Sequence, residues 1–253
     1  MYLDIHAHFA EEGYDLPAEW AKIKAAGVTK VVLASDTLAH SQMHCELCKT
    51  LDGAYFTAGV HPSETDGFSR ETEERLKLLC AEMKCVAVGE IGLDYHYDDT
   101  DRVKQRAAFE AQIALAADMG LPLQIHSRDA YADTLAILKG MRGRLKSGFL
   151  MHCYSYGAEN IEEFLSLGAY FSFGGVACFK NARRVAEAVE RCPLDRMLTE
   201  TDSPYLSPFR GEKNTPANIP VIARRLAEIK NMSEEALAAA VSGNACALFS
   251  RLV

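Results

Sequence analysis

The chain alternates short apolar runs with helix-period segments from one end to the other. The runs are "MYLDIH" (1–6), "KVVLAS" (30–35), "AYFTAGV" (54–60), "CVAVGE" (85–90), "LPLQIH" (121–126), "GFLMHC" (148–153), "AYFSF" (169–173) and "DRMLTE" (195–200). Most are apolar nearly throughout, the pattern of parallel strands covered on both faces. Between them, Val103 to Met119 sets Gln105, Phe109, Ile113 and Ala117 four residues apart, and Gly120 with Leu121-Pro122 closes that helix. Ile161 to Leu167 stops at Gly168, and Ala182 to Arg191 stops before Pro193. A last helix starts at Ser233, a good N-cap, with Glu234 and Glu235 in its positive first turn. Eight strand–helix units in 253 residues is the count of a (β/α)8 TIM barrel. An open doubly wound sheet competes, but its first strand usually runs into a Gly-rich turn, and here it ends in His6-Ala7-His8. No linker, low-complexity tract or short repeat interrupts the pattern, so residues 1–253 are expected to form one domain.

Composition narrows the function classes. No basic and apolar leader opens the sequence, and no apolar run approaches the ~20 residues of a membrane helix. A cytoplasmic protein with no membrane contact, working as a monomer, is the expectation. The eight cysteines are expected as thiols. His44-Cys45-x-x-Cys48 invites a zinc reading, but no second CxxC completes it, and two thiols one helical turn apart are the simpler account. The net charge of −8, from 27 basic and 35 acidic residues, counts against broad DNA binding. A nucleic-acid role would need a local basic patch or bound metal ions.

The chemistry collects where the strands end. Glu90, His126, His152, Asp202 and the His6/His8 pair all fall at or just past the carboxyl end of an expected strand, which in a barrel is one shared face. "MLTETDSPYL" (197–206) adds Glu200, and burying its two carboxylates would cost several kcal/mol unless a cation or donors face them. His-x-His puts both rings on one side of a strand. Four imidazoles with Glu90 and Asp202 exceed what one tetrahedral zinc needs. They suit two divalent ions about 3.5–4 Å apart. A purely structural hydrogen-bond network is the alternative. A single strand-end histidine would usually mean that, and the coincidence of six such groups argues against it.

At these residues the sequence resembles the TatD family of metal-dependent deoxyribonucleases, within the amidohydrolase-like barrels. The matching stretches are "DIHAH" (4–8), "GVHP" (59–62), "GEIGLDYH" (89–96), "LPLQIHSRDA" (121–130), "HCYS" (152–155), "FKNA" (179–182), "LTETDSPYL" (198–206) and "NTP" (214–216). The resemblance implies that His6, His8 and Glu90 hold a first metal. Glu90, His126, His152 and Asp202 would hold a second, with Glu90 as bridge. It also implies phosphate-facing roles for His61 and Arg128 and a substrate wall at Tyr205. A turn-packing role is open for His61, and an ion pair with Asp129 or Asp133 for Arg128. Two departures bear on substrate preference: Tyr154 and Tyr156 stand in a segment that in many members reads His-Cys-Phe-Ser-Gly, where the larger Tyr156 is expected to reshape the mouth of the pocket, and "RGEKN" (210–214) is one basic residue poorer than usual.

The expected activity is cleavage of DNA, single-stranded or at 3′ ends, by a two-metal phosphodiesterase. Asp202 would accept the proton of the attacking water, and Glu200 would touch a metal or orient that water. The ions would be zinc, manganese or magnesium, with the four imidazoles favouring a transition metal. Hydrolysis of an ester, lactone or amide in a small molecule is the rival, and a metal-binding scaffold without chemistry is a third reading.

Overall fold

The computed structural model describes residues 1–8, 15–97 and 101–252. Its strands are β1 (Tyr2–Ala7), β2 (Val28–Leu33), β3 (Ala54–Ala58), β4 (Cys85–Asp94), β5 (Leu123–Arg128), β6 (Phe149–Met151), β7 (Ala169–Phe173) and β8 (Met197–Thr199). They pair in parallel, each with the next in sequence. Parallel neighbours need a crossover. It is supplied by α1 (Leu16–Ala25), α2 (Leu38–Thr50), α3 (Arg70–Cys80), α4 (Arg102–Met119), α5 (Tyr131–Gly140), α6 (Ile161–Leu165) and α7 (Arg183–Arg191). After β8 come α8 (Ile219–Ile229) and α9 (Glu234–Leu248). The seam between β8 and β1 is lightly stitched. It consists of a bridge at Ala7 and Ser203, the Thr199 hydroxyl donating to Leu3 O, Asp202 N–H to His6 O, His8 N–H to Ser203 O, and the Thr201 amide and hydroxyl donating to the Asp4 carboxylate. This is the (β/α)8 barrel that the alternation predicts.

Helix ends fall close to the sequence signals. Asp101 accepts from the amides of Val103 and Lys104 to start α4, and Gly120 ends it at φ 65°, the left-handed region open to glycine. Ser233 caps α9 through Ala236 N–H. Helix α6 ends at Leu165, earlier than predicted.

The strands depart from the apolar runs in an informative way. Strand β4 continues to Asp94, four residues beyond Glu90, because Gly92 (φ 141°) lets the His126 carbonyl press against it. A Cβ there would sit 1.9 Å from His126 O, so no other residue fits without displacing β5. Strands β6 and β8 are only three residues long. Just beyond them the backbone enters left-handed conformations at Cys153 (φ 44°) and Asp202 (φ 57°), which break the ladder where His152 and Asp202 must turn inward.

Two apolar clusters hold the barrel. The larger one seats the helices on the strands, with Ile23, Phe56, Leu76, Phe109, Phe164 and Ile222 fully buried. The smaller joins Leu3, Ile5, Val32, Tyr55, Val86, Leu150 and Leu198 to Leu248, Phe249 and Leu252, and so plugs the amino-terminal end. The cysteines are free thiols. His44 gives its Nδ1 to Ser35 Oγ at 2.8 Å, and burial pushes the Cys48 thiol up to about 12. Among the described residues, the groups able to hold an ion lie elsewhere, at the carboxyl face.

Candidate metal centre

The histidines converge as the strand-end reading predicts. His6 Nε2, His8 Nε2, Glu90 Oε2 and Asp202 Oδ1 form one set. The separations are 3.1 Å between the two nitrogens, 3.4 and 3.2 Å from them to Glu90, and 3.6 Å from each to Asp202. Four ligands about 2.0–2.2 Å from a shared tetrahedral ion are separated by roughly 3.3–3.6 Å. The other oxygen of Glu90 faces a second set. Glu90 Oε1 lies 2.9 Å from His126 Nδ1 and 2.8 Å from His152 Nε2, which are 3.3 Å from each other. The residues therefore fit two adjacent cations sharing one carboxylate. Asp202 sits against the His6/His8 set, where the sequence reading grouped it with His126 and His152; it still falls within 4.8 Å of His6 and His152 ligand atoms.

On His6 and His126 the ring nitrogen that faces away is held by a partner that fixes the tautomer. Gln124 Nε2 donates to Ile5 O at 2.7 Å, so its Oε1 must accept from His6 Nδ1 at 2.9 Å, leaving the His6 Nε2 lone pair aimed at the centre. Asp94 Oδ2 takes His126 Nε2–H at 3.1 Å, freeing Nδ1. Behind His152, Glu200 Oε2 lies 3.6 Å from Nδ1 and accepts from the Ser172 hydroxyl at 2.6 Å. Glu200 is wholly buried and takes no part in the cavity wall. Ser35 O accepts the Glu90 N–H at 2.7 Å. Gln105 binds both backbone groups of Asp94, and Gln112 both of Val60, so α4 grips the strand ends carrying Asp94 and His61.

His61 behaves differently from the other rings. Its Nδ1 lies 2.8 Å from Ser63 Oγ and 3.1 Å from the Ser63 amide nitrogen, and its Nε2 stands 3.7 Å from Glu90 Oε1. Burial pulls its pKa down to about 4, which keeps it neutral at pH 7. Its Nε2 faces the cavity and, with Glu90 and His126, forms a further group able to hold an ion.

Electrostatics separate the two central carboxylates. Burial opposes charge on both. On Glu90 the surrounding histidines, His152 and His6 foremost, overcome it and hold the carboxyl well below its ordinary range. On Asp202 burial wins and the pKa rises. Burial also works against His8, yet its bond to Glu90 brings it up to about 9.

The centre floors a cavity of about 680 Å³. Arg128 and Tyr97 stand on its rim with the guanidinium 5.8 Å from the ring, and Tyr205 stands edge-on to His8 at 6.0 Å between centroids. The carboxylates that might have claimed Arg128 are engaged elsewhere: Asp129 pairs with His96 at 2.9 Å, and Asp133 with Arg106 at 3.2 Å. Tyr156 does not reshape the mouth as its size predicts. Its hydroxyl bonds Ser127 Oγ and takes the Ala130 N–H, its ring packs on Tyr131 and Tyr154, and Ser155 lines the cavity instead. The supporting roles of Gln124, Asp94 and Ser172 were not read from the sequence, because each acts across strands on a residue far along the chain.

The family model described as TatD related DNase matches residues 3–250. The chain belongs to that family. YabD of Bacillus subtilis, named an uncharacterized metal-dependent hydrolase, is 38% identical over 98% of this chain and 99% of its own. The 3′-5′ ssDNA/RNA exonuclease TatD of Cronobacter sakazakii is 33% identical over 90% of this chain and 89% of its own. The crystal structure of YJJV, a TatD homolog from Escherichia coli, superposes with a TM-score of 0.93 at 27% identity, covering 98% of each chain. This TatD-family chain is a hydrolase, and the residues able to hold a metal ion gather at the histidine-rich end of the barrel.

Proposed function

We propose that this TatD-family hydrolase works as one barrel domain and removes nucleotides from a free 3′ end of single-stranded nucleic acid, with two divalent ions. The observation that carries the reading is the split of Glu90, one oxygen toward the His6/His8/Asp202 set and the other toward His126 and His152. The exonuclease name of the Cronobacter relative supports the substrate class. His6, His8, Glu90 and Asp202 would hold one ion, and Glu90, His126 and His152 the other; four imidazoles favour zinc or manganese over magnesium. Ions bound there would supply Lewis acidity and make water acidic enough to attack near neutral pH.

The chain's own residues do the rest. Asp202, the carboxylate whose pKa burial raises, accepts the proton of the attacking water. The water oxygen bonds to phosphorus, the bond to the leaving 3′ oxygen breaks, and that oxygen takes a proton from solvent. His61 Nε2–H and the Arg128 guanidinium donate to the non-bridging oxygens. Tyr205 bounds the substrate. Glu200, sealed behind His152, orients that ring. The rival reading, a small-molecule esterase, lactonase or amidase, draws support from the cavity wall, where Arg128 is the one Lys or Arg among the described residues.

The deciding experiment is Glu90→Gln. Metal content by elemental analysis should fall at both sites together, and digestion of end-labelled oligonucleotides should stop. Unchanged metal content would sink the shared-carboxylate assignment. Intact metals with esterase but no nuclease activity would favour the rival.

A further inference from the structure

Among the described residues, four carboxylates line the cavity, and three of them belong to the centre. Glu90 and Asp202 lie among the histidines, and Asp94 holds His126. The fourth, Asp36, has no histidine of the centre as its partner. It follows β2, its backbone carbonyl accepts the His61 N–H at 2.8 Å, and its Oδ1 is held by His40 Nδ1 on α2. Its side chain is 34% exposed, and Oδ2 has no hydrogen-bond partner among the described residues. A carboxylate beside the path of a polyanion repels it, and it offers an acceptor only to a hydroxyl or amine.

Arg128 ends β5, three strands around the ring from β2. Among the described residues lining the cavity, the one Arg or Lys side chain and the one carboxylate outside the centre therefore stand at the ends of different strands, with the centre between them. A strand whose last phosphodiester rests on the centre has further phosphates on one side. On the other side, one sugar ring away, it has only a terminal hydroxyl. Phosphates match the Arg128 rim and the hydroxyl matches the Asp36 rim.

Resting on the nuclease reading above, we infer that Asp36 reads the end of the substrate: it accepts a hydrogen bond from the free 3′-hydroxyl and excludes a strand that carries a phosphate there. End selection is then a matter of charge at one carboxylate, in addition to the shape of the cavity.

The test compares 5′-labelled single-stranded oligonucleotides ending in a 3′-hydroxyl or a 3′-phosphate, using metal-loaded enzyme. Wild type should prefer the hydroxyl end by about ten-fold or more in kcat/KM. Asp36→Asn should bring the preference to within about three-fold by accelerating the phosphate end, and Asp36→Glu should restore it. Arg128→Ala should slow both ends alike and leave the ratio unmoved. A wild-type enzyme that digests both ends equally, or an Asp36→Asn ratio equal to wild type, overturns the inference while leaving the nuclease reading intact. Digestion of neither oligonucleotide overturns the nuclease reading and the inference with it.

Discussion

The two ends of the barrel are built to opposite rules. At the amino-terminal end, Phe249 and Leu252 fill the opening against Leu3, Tyr55 and Leu198, and all are buried. Polar groups there are answered: Arg251 Nη1 donates to the carbonyls of Cys80, Glu82 and Cys85, and Lys30 Nζ to that of Leu252. At the carboxyl end, His152 Nδ1, Glu200 Oε1 and Ser203 Oγ are buried without a hydrogen-bond partner among the described residues. Asp129, Cys153, Asp202 and Leu206 hold left-handed backbone there. One end maximises burial and satisfaction. The other tolerates costs of order 1–3 kcal/mol each to aim side chains at a common point. Stability and chemistry are therefore separable by position along each strand.

That separation can be tested, beginning with the largest effect. Asp202→Asn keeps the shape of the side chain and one weak oxygen ligand but cannot accept the proton, so kcat should fall about 10²–10⁴-fold with metal largely retained. Turnover within a few-fold of wild type would move the proton acceptor elsewhere. Phe249→Ala should do the reverse, lowering unfolding free energy by about 3–5 kcal/mol in urea titrations while the folded fraction keeps its kcat. A matching loss of kcat would show that the plug and the centre are coupled.

The third test lies at the boundary between the two ends. His44, buried against Ser35, has its pKa pulled down to about 3, chiefly by burial. A histidine held neutral in this way leaves stability intact above its unfolded pKa near 6.5. That stability is lost as pH falls from there toward 3, because only the unfolded chain takes the proton. Between pH 7 and pH 5 the loss is about 2 kcal/mol, and His44→Asn should remove it from the pH dependence of the urea midpoint. Last, Arg251→Ala should cost about 1 kcal/mol, the part-exposed guanidinium having screened bonds, and leave catalysis untouched.

Much of this division was legible in the sequence. Apolar runs ending in His6-Ala7-His8, His126, His152 and "TETDSP" located both the strands and the shared face, since strand direction alone decides where their ends meet. What could not be read was support at a distance. Gln124 fixes the His6 tautomer from 118 residues away, and Asp94 was hidden because β4 runs on past Glu90 through Gly92. Asp202 was grouped with His126 and His152; the structure sets it 3.6 Å from His6 and His8 and keeps it within reach of His152, on a turn at φ 57° that no glycine announces. Tyr156 misled for a related reason: its bulk suggested the mouth, but its hydroxyl found Ser127 and the Ala130 amide.

The lightly stitched seam has a consequence of its own. His6 and His8 belong to the first strand and Asp202 to the segment after the last, so on the proposed assignment one ion would join the two ends of the sheet as a clasp joins a bracelet. Opening the ring would then mean releasing the ion. The barrel should tighten with free metal concentration, gaining about 2.7 kcal/mol at a hundredfold excess over the dissociation constant. Amide exchange along β1 and β8 would slow first, since those strands flank the seam. The same ion would then act both as reagent and as fastener, and metal starvation would loosen the fold at the place where it silences the enzyme.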